Sequence, residues 1–438
     1  GVTCSDCHEP HTLELRREGN ALCSGCHSAQ VYDTAKHHFH EKEGAGGSCV
    51  ACHAPERTYM VVDPRRDHSF RVPRPELAVR YGVPDVCTGC HKVQTPVWAE
   101  ARVQEWYGST QKGDSRHYSA TLAAAHAGSV ASLTALAGDQ AAPAIVRATA
   151  LQGLGGQLGP ASIQLLVNGL YAEDALERRA AVEALAGLDR NTRWQLLAPL
   201  LDDAVRGVRI AVAVALADVP MESLDEAGRR QLQQAFGEYL AAERLNADRV
   251  EHWVNVAGFH MRRGELDAAE ASYRAALQRN PRYSPAYVNQ ADMFRELGRE
   301  EDAEKVLRSG IAVLPDDGSL HQAIGLLLIR TGRADEALLE LRTAYELDRQ
   351  NPFFGYVYGV ALDSTGASGR AVDVWKDVLE QHPNDRDTLQ ALAVGLYRQN
   401  QHGQARVIAE RLSRVLPGNP PLVQLMAAIK AAARGATQ

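Results

Sequence analysis

The sequence predicts a mostly α-helical chain in which a short, loop-rich N-terminal module is followed by a long α-solenoid. Three observations predict this fold class. All eight cysteines lie within the first 90 residues, in a segment rich in glycine and proline that lacks long helical periodicity. Beyond it the chain is rich in alanine and leucine, and one helical pattern recurs there every 31 residues and a second every 34. We therefore expect three domains, at residues 1–115, 116–245 and 246–438.

The N-terminal module contains four copies of the motif Cys-x-x-Cys-His, which read CSDCH, CSGCH, CVACH and CTGCH. Their cysteines are Cys4, Cys7, Cys23, Cys26, Cys49, Cys52, Cys87 and Cys90, and their histidines are His8, His27, His53 and His91. One copy would also fit a redox dithiol or half of a zinc site. Histidine occupies 16 of 438 positions, so chance would place it after all four pairs only about twice in a million. The motif is the attachment signature of c-type haem, so we predict four covalently bound heme c groups, with the four motif histidines as proximal iron ligands.

The haem groups are expected to supply the core of this module. The motifs begin at Cys4, Cys23, Cys49 and Cys87, so successive starts are 19, 26 and 38 residues apart, which leaves little protein between neighbouring porphyrins. The segment also has few aliphatic side chains per residue, which makes a poor fold by itself. We expect stacked porphyrins wrapped by short helices and loops within residues 1–110.

The compartment follows from the same motifs. Covalent haem attachment takes place outside the bacterial cytoplasm, and no cysteine is left over for a disulfide. The chain begins at Gly1 without a leader-like segment, so we expect that a signal peptide has been removed or that the sequence is part of a longer one. No apolar run approaches the length of a membrane span, and the net charge of −7 does not suggest nucleic acid. We predict a periplasmic, outer-surface or extracellular protein.

The pattern with a period of 31 residues occupies the first part of the helical region. Arg147, Arg178 and Arg209 recur at this spacing. Small or apolar residues follow each arginine at positions +3, +4 and +7, which form one face of a helix. This pattern resembles short HEAT-like repeats, in which helix pairs stack into a solenoid.

The pattern with a period of 34 residues is sharper and covers about residues 250–419. Its glycine or asparagine positions are Gly264, Gly298, Gly332, Gly366 and Asn400; its alanine positions are Ala269, Ala303, Ala337, Ala371 and Ala405. Proline closes four of five units, at Pro281, Pro315, Pro383 and Pro417. The pattern resembles the tetratricopeptide repeat, with a left-handed residue ending the first helix, a small residue where the helices cross and proline ending the second. Arg349 replaces one proline, so we expect an altered turn there, and residues after Pro417 should form a capping helix.

The stretches GVTCSDCHEPHTLELRREGNALCSGCH, YDTAKHHFH and CVACHAPERTYMVVDPRRDHSFRVPRPE, with the last CTGCH, resemble bacterial multihaem cytochromes c that carry tetratricopeptide repeats at their C-terminus. The resemblance implies electron transfer. It also implies that His11, in the arrangement Cys-x-x-Cys-His-x-x-His, binds a neighbouring haem, and that His40 is an axial ligand. A second histidine would close the open face of an iron, as is typical of low-potential electron carriers.

Further candidates for distal ligands lie near the motifs in sequence: His37, His38, His68 and His117. Each could instead hydrogen-bond a haem propionate or lie at the surface. Four arginines surround His68, namely Arg65, Arg66, Arg71 and Arg74. They form either a solvated basic loop or a set of guanidinium partners for haem propionates.

The sequence favours an electron-transfer protein whose solenoid docks redox partners or further copies of itself, with an extracellular conductive filament as one form of assembly. No phosphate-binding loop or Ser-His-Asp arrangement is found, so an enzymatic function has no positive support. Two alternatives stay open. One is a multihaem redox enzyme with a single open-site haem, and the other is a scaffold whose haems are mainly structural.

Overall fold

The computed structural model describes residues 2–60, 62–108, 118–126, 129–156, 158–415 and 420–435. The chain forms two compact units, Gly1–Ala123 and Ala124–Gln438. The regular secondary structure of both units is mainly helical, and one two-stranded sheet lies within the described ranges. The predicted mostly α-helical fold class is therefore confirmed. The candidate ligand His117 falls outside the described residues.

The first unit consists of short helices joined by loops. Its α-helices, with α8 crossing the boundary between the units, are α1 (Cys4–Cys7), α2 (Ala29–Tyr32), α3 (Ala35–His38), α4 (Cys49–His53), α5 (Pro75–Tyr81), α6 (Val86–Cys90), α7 (Pro96–Tyr107) and α8 (Tyr118–His126). Single 3₁₀ turns lie at Gly19–Ala21, Cys23–Gly25 and Ala45–Gly47. Strands β1 (Glu56–Tyr59) and β2 (Asp63–Arg66) form an antiparallel hairpin in which Glu56 faces Arg66.

This first unit has almost no core made of side chains. Among its described residues the buried apolar side chains are Ala54, Ala78, Ala99 and Val103. Large apolar side chains are instead exposed, such as Met60 (74% exposed), Val62 (82%) and Val93 (92%). A unit that exposes so much apolar surface needs another apolar component to fold stably, because burial of such surface is the main favourable term in folding.

The second unit begins with helices that carry the 31-residue pattern: α9 (Val130–Gly138), α10 (Ala144–Leu154), α11 (Pro160–Gly169), α12 (Ala175–Leu185), α13 (Arg190–Leu197), α14 (Arg206–Ala215) and α15 (Glu226–Arg244). Turns of 3₁₀ helix lie at Ala198–Asp202 and Met221–Ser223. Helix α10 packs on α12, and α12 packs on α14. The small and apolar residues that follow each arginine in the pattern are all at most 2% exposed: Ala150, Leu151, Leu154, Ala181, Val182, Leu185, Val212, Ala213 and Leu216.

The three arginines of that pattern form a repeated set of ion pairs. Each guanidinium donates two hydrogen bonds to one carboxylate. The pairs are Arg147 with Glu177, Arg178 with Asp203 and Arg209 with Glu238. Each also donates to a backbone carbonyl in the loop before its own helix, at Ala142, Ala172 and Asp203 respectively. The constant period thus reflects a contact that fixes each helix against both its loop and a following element.

The remaining helices carry the 34-residue pattern. They are α16 (Val250–Arg262), α17 (Leu266–Arg279), α18 (Ser284–Glu296), α19 (Glu300–Val313), α20 (Gly318–Arg330), α21 (Ala334–Leu347), α22 (Pro352–Ser364), α23 (Ser368–Gln381), α24 (Arg386–Arg398), α25 (His402–Val415) and α26 (Pro420–Gly435). Successive helices pack as pairs, from α16 with α17 to α24 with α25, and α26 covers α25. Leu422 and Ile429 of α26 are buried, as a capping helix requires.

The positions that define this repeat behave as predicted. Gly264, Gly298, Gly332 and Gly366 have φ between 69° and 86°, and Asn400 has a φ of 61°. Each therefore adopts the left-handed conformation just after the first helix of its pair. The five repeat alanines are at most 1% exposed, because the paired helices approach each other closely there.

The expectation of an altered turn at Arg349 is wrong. Helix α21 ends at Leu347 and α22 begins at Pro352, and both boundaries keep the 34-residue spacing of the neighbouring repeats. The Arg349 guanidinium lies over the Tyr345 ring and pairs with Asp377 at 3.0 Å. These contacts hold the turn without proline. Pro417 lies outside the described residues.

The longest helix in the described ranges is α15, with 19 residues and several charged side chains. None of the helices in these ranges combines the length and the apolar composition needed to cross a bilayer.

Candidate haem-binding sites

Each Cys-x-x-Cys-His motif is folded into a single helical turn. Helices α1, α4 and α6 carry three of the cysteine pairs, and in the second motif the 3₁₀ turn Cys23–Gly25 is followed directly by Cys26; all eight thiols are free. Residues three apart lie on the same side of a helical turn, so both thiols of a pair can reach one porphyrin edge. In three motifs the backbone N–H of the histidine donates to the backbone carbonyl of the first cysteine, at 2.8–2.9 Å for His8, His27 and His91.

Two motif histidines have their Nδ1 held by a backbone carbonyl. Nδ1 of His8 donates to the Leu13 carbonyl at 2.7 Å, and Nδ1 of His53 donates to the Arg71 carbonyl at 2.8 Å. A carbonyl only accepts, so the ring proton resides on Nδ1 and the lone pair of Nε2 is free. Backbone hydrogen bonds of this kind fix the tautomer and the orientation of histidines that bind metals.

Three of the four motif histidines face a histidine from outside the motifs. The ring centres are 6.4 Å apart for His8 and His68, 6.2 Å for His53 and His37, and 6.1 Å for His91 and His40. A metal–imidazole bond is about 2.1 Å long and the ring centre lies roughly 1.2 Å behind the nitrogen, so two imidazoles on opposite sides of one iron have centres about 6.6 Å apart. The spacing of all three pairs is within about 0.5 Å of this value.

The other candidate histidines have different surroundings. His11 is exposed and stands outside the three pairs. His38 is partly buried, and its Nε2 is buried without a hydrogen-bond partner in the described residues. The His27 ring meets the Tyr32 ring edge-on, with centres 5.7 Å apart. The structure thus places His37, His40 and His68 next to motif histidines, whereas His11 is not part of such a pair.

The segment that carries His37 and His40 is held by the end of α7. The Phe39 ring stacks on Trp106 with centres 4.6 Å apart, and the Tyr107 hydroxyl donates to the His37 carbonyl. The role of these aromatic residues could not be predicted from the sequence. The HHFH cluster contains Phe39, but no periodic pattern connects it to residues some 70 positions later.

Asn20 is a second residue that the sequence analysis missed. Its side-chain amide donates to Asp33 at 2.9 Å and to the Gly47 carbonyl at 2.8 Å, and its carbonyl oxygen accepts from the Cys49 N–H at 2.9 Å. Asn20 therefore ties the loop before the second motif to the start of the third. In the sequence it is one polar residue among several ahead of Cys23.

The electrostatics of the free protein favour neutral groups at these sites. Burial, with the nearby Cys23 thiol, raises the pKa of Cys49 to about 11, and burial with the nearby Asp85 carboxylate raises that of Cys87 to about 11. Burial, with the charges of His53 and His38, lowers the pKa of His37. A lower pKa keeps the His37 imidazole neutral, which is the form that binds a metal.

The four arginines predicted to contact propionates each lie beside a carboxylate of this chain. The pairs are Arg65 with Asp63 at 2.7 Å, Arg66 with Glu56 at 3.2 Å, Arg71 with Asp67 at 3.4 Å and Arg74 with Glu76 at 3.7 Å. Most of these side chains are well exposed, so the pairs contribute little to stability. The guanidinium groups do form a local basic surface, and their contact with propionates stays a prediction.

The residues present fit c-type haem. The paired imidazoles have the spacing of two axial ligands, whereas a tetrahedral zinc site would gather four ligands around one point. Within the described ranges no three His, Cys, Asp or Glu side chains converge in that way. The exposed apolar side chains of this unit, such as Val93, are also suited to cover a porphyrin face.

Family comparisons match both parts of the chain. A family model described as a doubled CXXCH motif matches residues 1–32. Three models described as tetratricopeptide repeats match residues 221–285, 260–327 and 319–351. The chain therefore combines an N-terminal haem-binding region with tetratricopeptide repeats. The first repeat match begins before residue 246, where we predicted the tetratricopeptide domain to start.

The curated relatives are similar only over part of their length. Protein O-mannosyl-transferase TMTC3 of Homo sapiens is 26% identical over 152 residues, which is 33% of this chain and 16% of that protein. Protein CTR9 homolog of Arabidopsis thaliana is 23% identical over 204 residues, which is 45% of this chain and 19% of that protein. The chain spans less than a fifth of either relative.

Solved structures similar to this chain include helical-repeat proteins. The structure of YrrB, described as a TPR protein with an unusual peptide-binding site, shares 20% identity, covers 44% of this chain and 96% of that chain, and has a TM-score of 0.33. Yeast Tom70 shares 12% identity, covers 70% of each chain and has a TM-score of 0.42. At these scores the similarities carry no conclusion about function.

Proposed function

We propose that this protein transfers electrons through four covalently bound c-type haems, and that its helical repeats form a scaffold for redox partners or for further copies of the chain. The observation that carries the proposal is the spacing of the three facing histidine pairs. Three pairs at 6.1–6.4 Å are the arrangement expected of axial ligands.

The ligand assignment follows from these pairs. His8 would bind with His68, His53 with His37 and His91 with His40. For the remaining motif, which is the second, we assign His38 to His27, because the buried Nε2 of His38 has no hydrogen-bond partner in the described residues. The cofactor, when bound, supplies reversible one-electron chemistry at iron. The protein supplies the imidazoles, of which those of His8 and His53 are fixed through Nδ1, and apolar side chains that exclude water.

The remaining parts of the proposal concern location and scaffold. Haem attachment at Cys-x-x-Cys-His motifs is typical of exported proteins, and we assign the chain to the periplasm, the outer surface or the extracellular space. We propose that residues 1–115 form the tetrahaem domain, residues 116–245 the HEAT-like repeats and residues 246–438 the tetratricopeptide repeats. The arginine and carboxylate pairs at the 31-residue spacing support the HEAT-like assignment.

Axial-ligand variants test the electron-transfer proposal. The purified protein should contain four covalent haems, all low-spin. His68→Ala, His37→Ala and His40→Ala should each convert one haem to a high-spin form that binds cyanide, because each removes one facing imidazole. The exposed His11 provides a matched control, and His11→Ala should leave the spectrum unchanged. A wild-type protein with one high-spin haem would instead support the redox enzyme with an open site.

The scaffold part predicts association through the repeats. Deleting residues 250–438 should leave haem attachment intact, because the haem motifs lie in a separate compact unit. It should abolish partner binding or self-association, which light scattering and negative-stain microscopy would report. If the native protein is strictly monomeric at high concentration, a filament is excluded. If the truncated protein loses its haem spectrum, the two parts depend on each other and the scaffold interpretation fails.

A further inference from the structure

We infer that Phe39, Trp106 and Tyr107, here called the aromatic clamp, position the axial histidines of two different haems at once. The inference rests on the proposed function. The clamp joins the end of α7 to the last turn of α3 and the residues just after it, which carry His37 and His40. His37 faces His53 of the third motif, and His40 faces His91 of the fourth.

A regular helix could not serve both motifs from this segment. Residues three apart lie on the same face of a helix, so His37 and His40 would then point to one site. Helix α3 ends at His38 instead, because Phe39 adopts the left-handed conformation with a φ of 55°. This single residue redirects the chain and sends His40 to a different motif.

The left-handed conformation is unfavourable for phenylalanine, so it needs support from its surroundings. Two neighbouring aromatic rings provide this support. The Phe39 ring lies parallel to Trp106 with an angle of 3° and centres 4.6 Å apart, and the Tyr107 ring meets it edge-on at 5.7 Å. Both arrangements are favourable for aromatic pairs. The clamp therefore stabilises the turn that separates the two histidines.

The clamp also contacts the histidines themselves. The Tyr107 hydroxyl donates to the His37 carbonyl, and the Trp106 ring meets the His40 ring edge-on at 6.3 Å. A Cβ at Gly46 would lie 2.3 Å from the imidazole Cδ2 of His40. The His40 ring thus contacts both Trp106 and the bare backbone of Gly46, and the clamp residues act as positioning residues for both ligands.

Variants of Trp106 test this inference because they alter no ligand. Trp106→Leu removes the stack and should release both distal histidines, so that two of four haems become high-spin and bind cyanide. His40→Ala should convert one haem. Gln104→Ala, at an exposed polar position on the same helix, provides a matched control and should convert none. Trp106→Phe retains an aromatic ring and should restore most of the low-spin spectrum.

Phe39→Gly provides a second route in case Trp106→Leu does not fold. Glycine adopts the left-handed conformation freely, so the turn survives while the stack is lost. We expect cyanide affinity to rise about tenfold at the same two haems, as the loss of one aromatic stack predicts. Covalent haem content, measured as the pyridine haemochrome, should stay at four per chain.

The outcomes separate the inference from the proposed function. Four low-spin haems in the wild type together with no change in Phe39→Gly would overturn the clamp and leave electron transfer intact. An effect on only one haem, either conversion to high spin in Trp106→Leu or raised cyanide affinity in Phe39→Gly, would also contradict the inference that the clamp positions both histidines. A wild-type protein without covalent haem would overturn the proposed function itself.

Discussion

Replacing Arg178 with methionine should destabilise the second unit by about 3 kcal/mol, because it leaves the Asp203 carboxylate buried without its partner. The two side chains are only 15% and 9% exposed, and two hydrogen bonds of 2.7 and 3.0 Å join them. Breaking a buried ion pair on one side typically costs about 3–5 kcal/mol. We choose the lower end because Asp203 keeps a hydrogen bond from the Val205 N–H.

The next residue in the chain provides the control. Arg179 pairs with Glu183 on the surface of the same helix, and its side chain is 57% exposed. Arg179→Met should therefore cost less than about 0.5 kcal/mol. The double variant Arg178→Met/Asp203→Asn should recover part of the loss, because a neutral amide leaves no unpaired charge in the protein.

The assay is urea unfolding of the haem-loaded protein, followed by far-ultraviolet circular dichroism, with haem absorbance recorded alongside. The hydrogen bond from Arg178 lowers the pKa of Asp203, so the pair stabilises the fold above the unfolded pKa of aspartate, about 3.9, and less as pH falls through the folded pKa. The difference between wild type and Arg178→Met should shrink in this acid range. Equal effects of the Arg178 and Arg179 variants at pH 7 would refute the reasoning.

The remaining predictions concern the 34-residue repeats. The nitrogens of His321 lie 2.6 Å from a Glu340 carboxylate oxygen and 2.8 Å from the Pro315 carbonyl, and the Glu340 hydrogen bond raises the pKa of His321. The hydrogen bond between His321 and Glu340 should stabilise the fold fully below the unfolded pKa of histidine, about 6.5, and lose its effect as pH rises through the folded pKa. The urea midpoints of wild type and His321→Asn should therefore converge as pH rises. A difference between the two midpoints that stays constant with pH would contradict this prediction. Gly298→Ala should destabilise the fold by about 1–2 kcal/mol, because Gly298 has a φ of 69°, which is unfavourable for alanine. Gly237 lies within helix α15, where alanine is favoured over glycine, so Gly237→Ala should stabilise the fold by about 0.5–1 kcal/mol. Changes of the same sign in the two variants would contradict this reasoning.

Much of the solenoid was predictable because its determinants are local and repeated. A left-handed residue after the first helix of a pair depends on that residue and its neighbours, so Gly298 and its equivalents could be identified from spacing alone. The same holds for the buried alanines. The turn at Arg349 was mispredicted because proline is only one way to end a helix, and a distant partner, Asp377, replaces it.

The Cys-x-x-Cys-His motifs could be recognised from the sequence, but the histidine that lies next to each motif histidine could not. Cysteine and histidine spacing within one turn indicates haem attachment, whereas the partner of each motif histidine depends on how loops fold back. His68 reaches the first motif from 60 positions away, although His11 is only three positions from His8. The aromatic clamp was likewise hidden, because Phe39 and Trp106 meet only in three dimensions.

The two units differ in what holds them together, and this difference bears on how the protein acquires its function. The second unit buries its own apolar faces, as the fully buried Leu154, Leu216 and Leu307 illustrate. The first unit exposes Met60, Val62 and Val93 and buries almost no side chain larger than alanine among its described residues. Under the proposed function, its free energy of folding would come largely from the cofactor, through covalent attachment, iron–imidazole bonds and contact with the porphyrin faces. Because His37 and His40 share one turn, binding at the third motif would place the ligand of the fourth, and the haem sites would form cooperatively rather than one at a time.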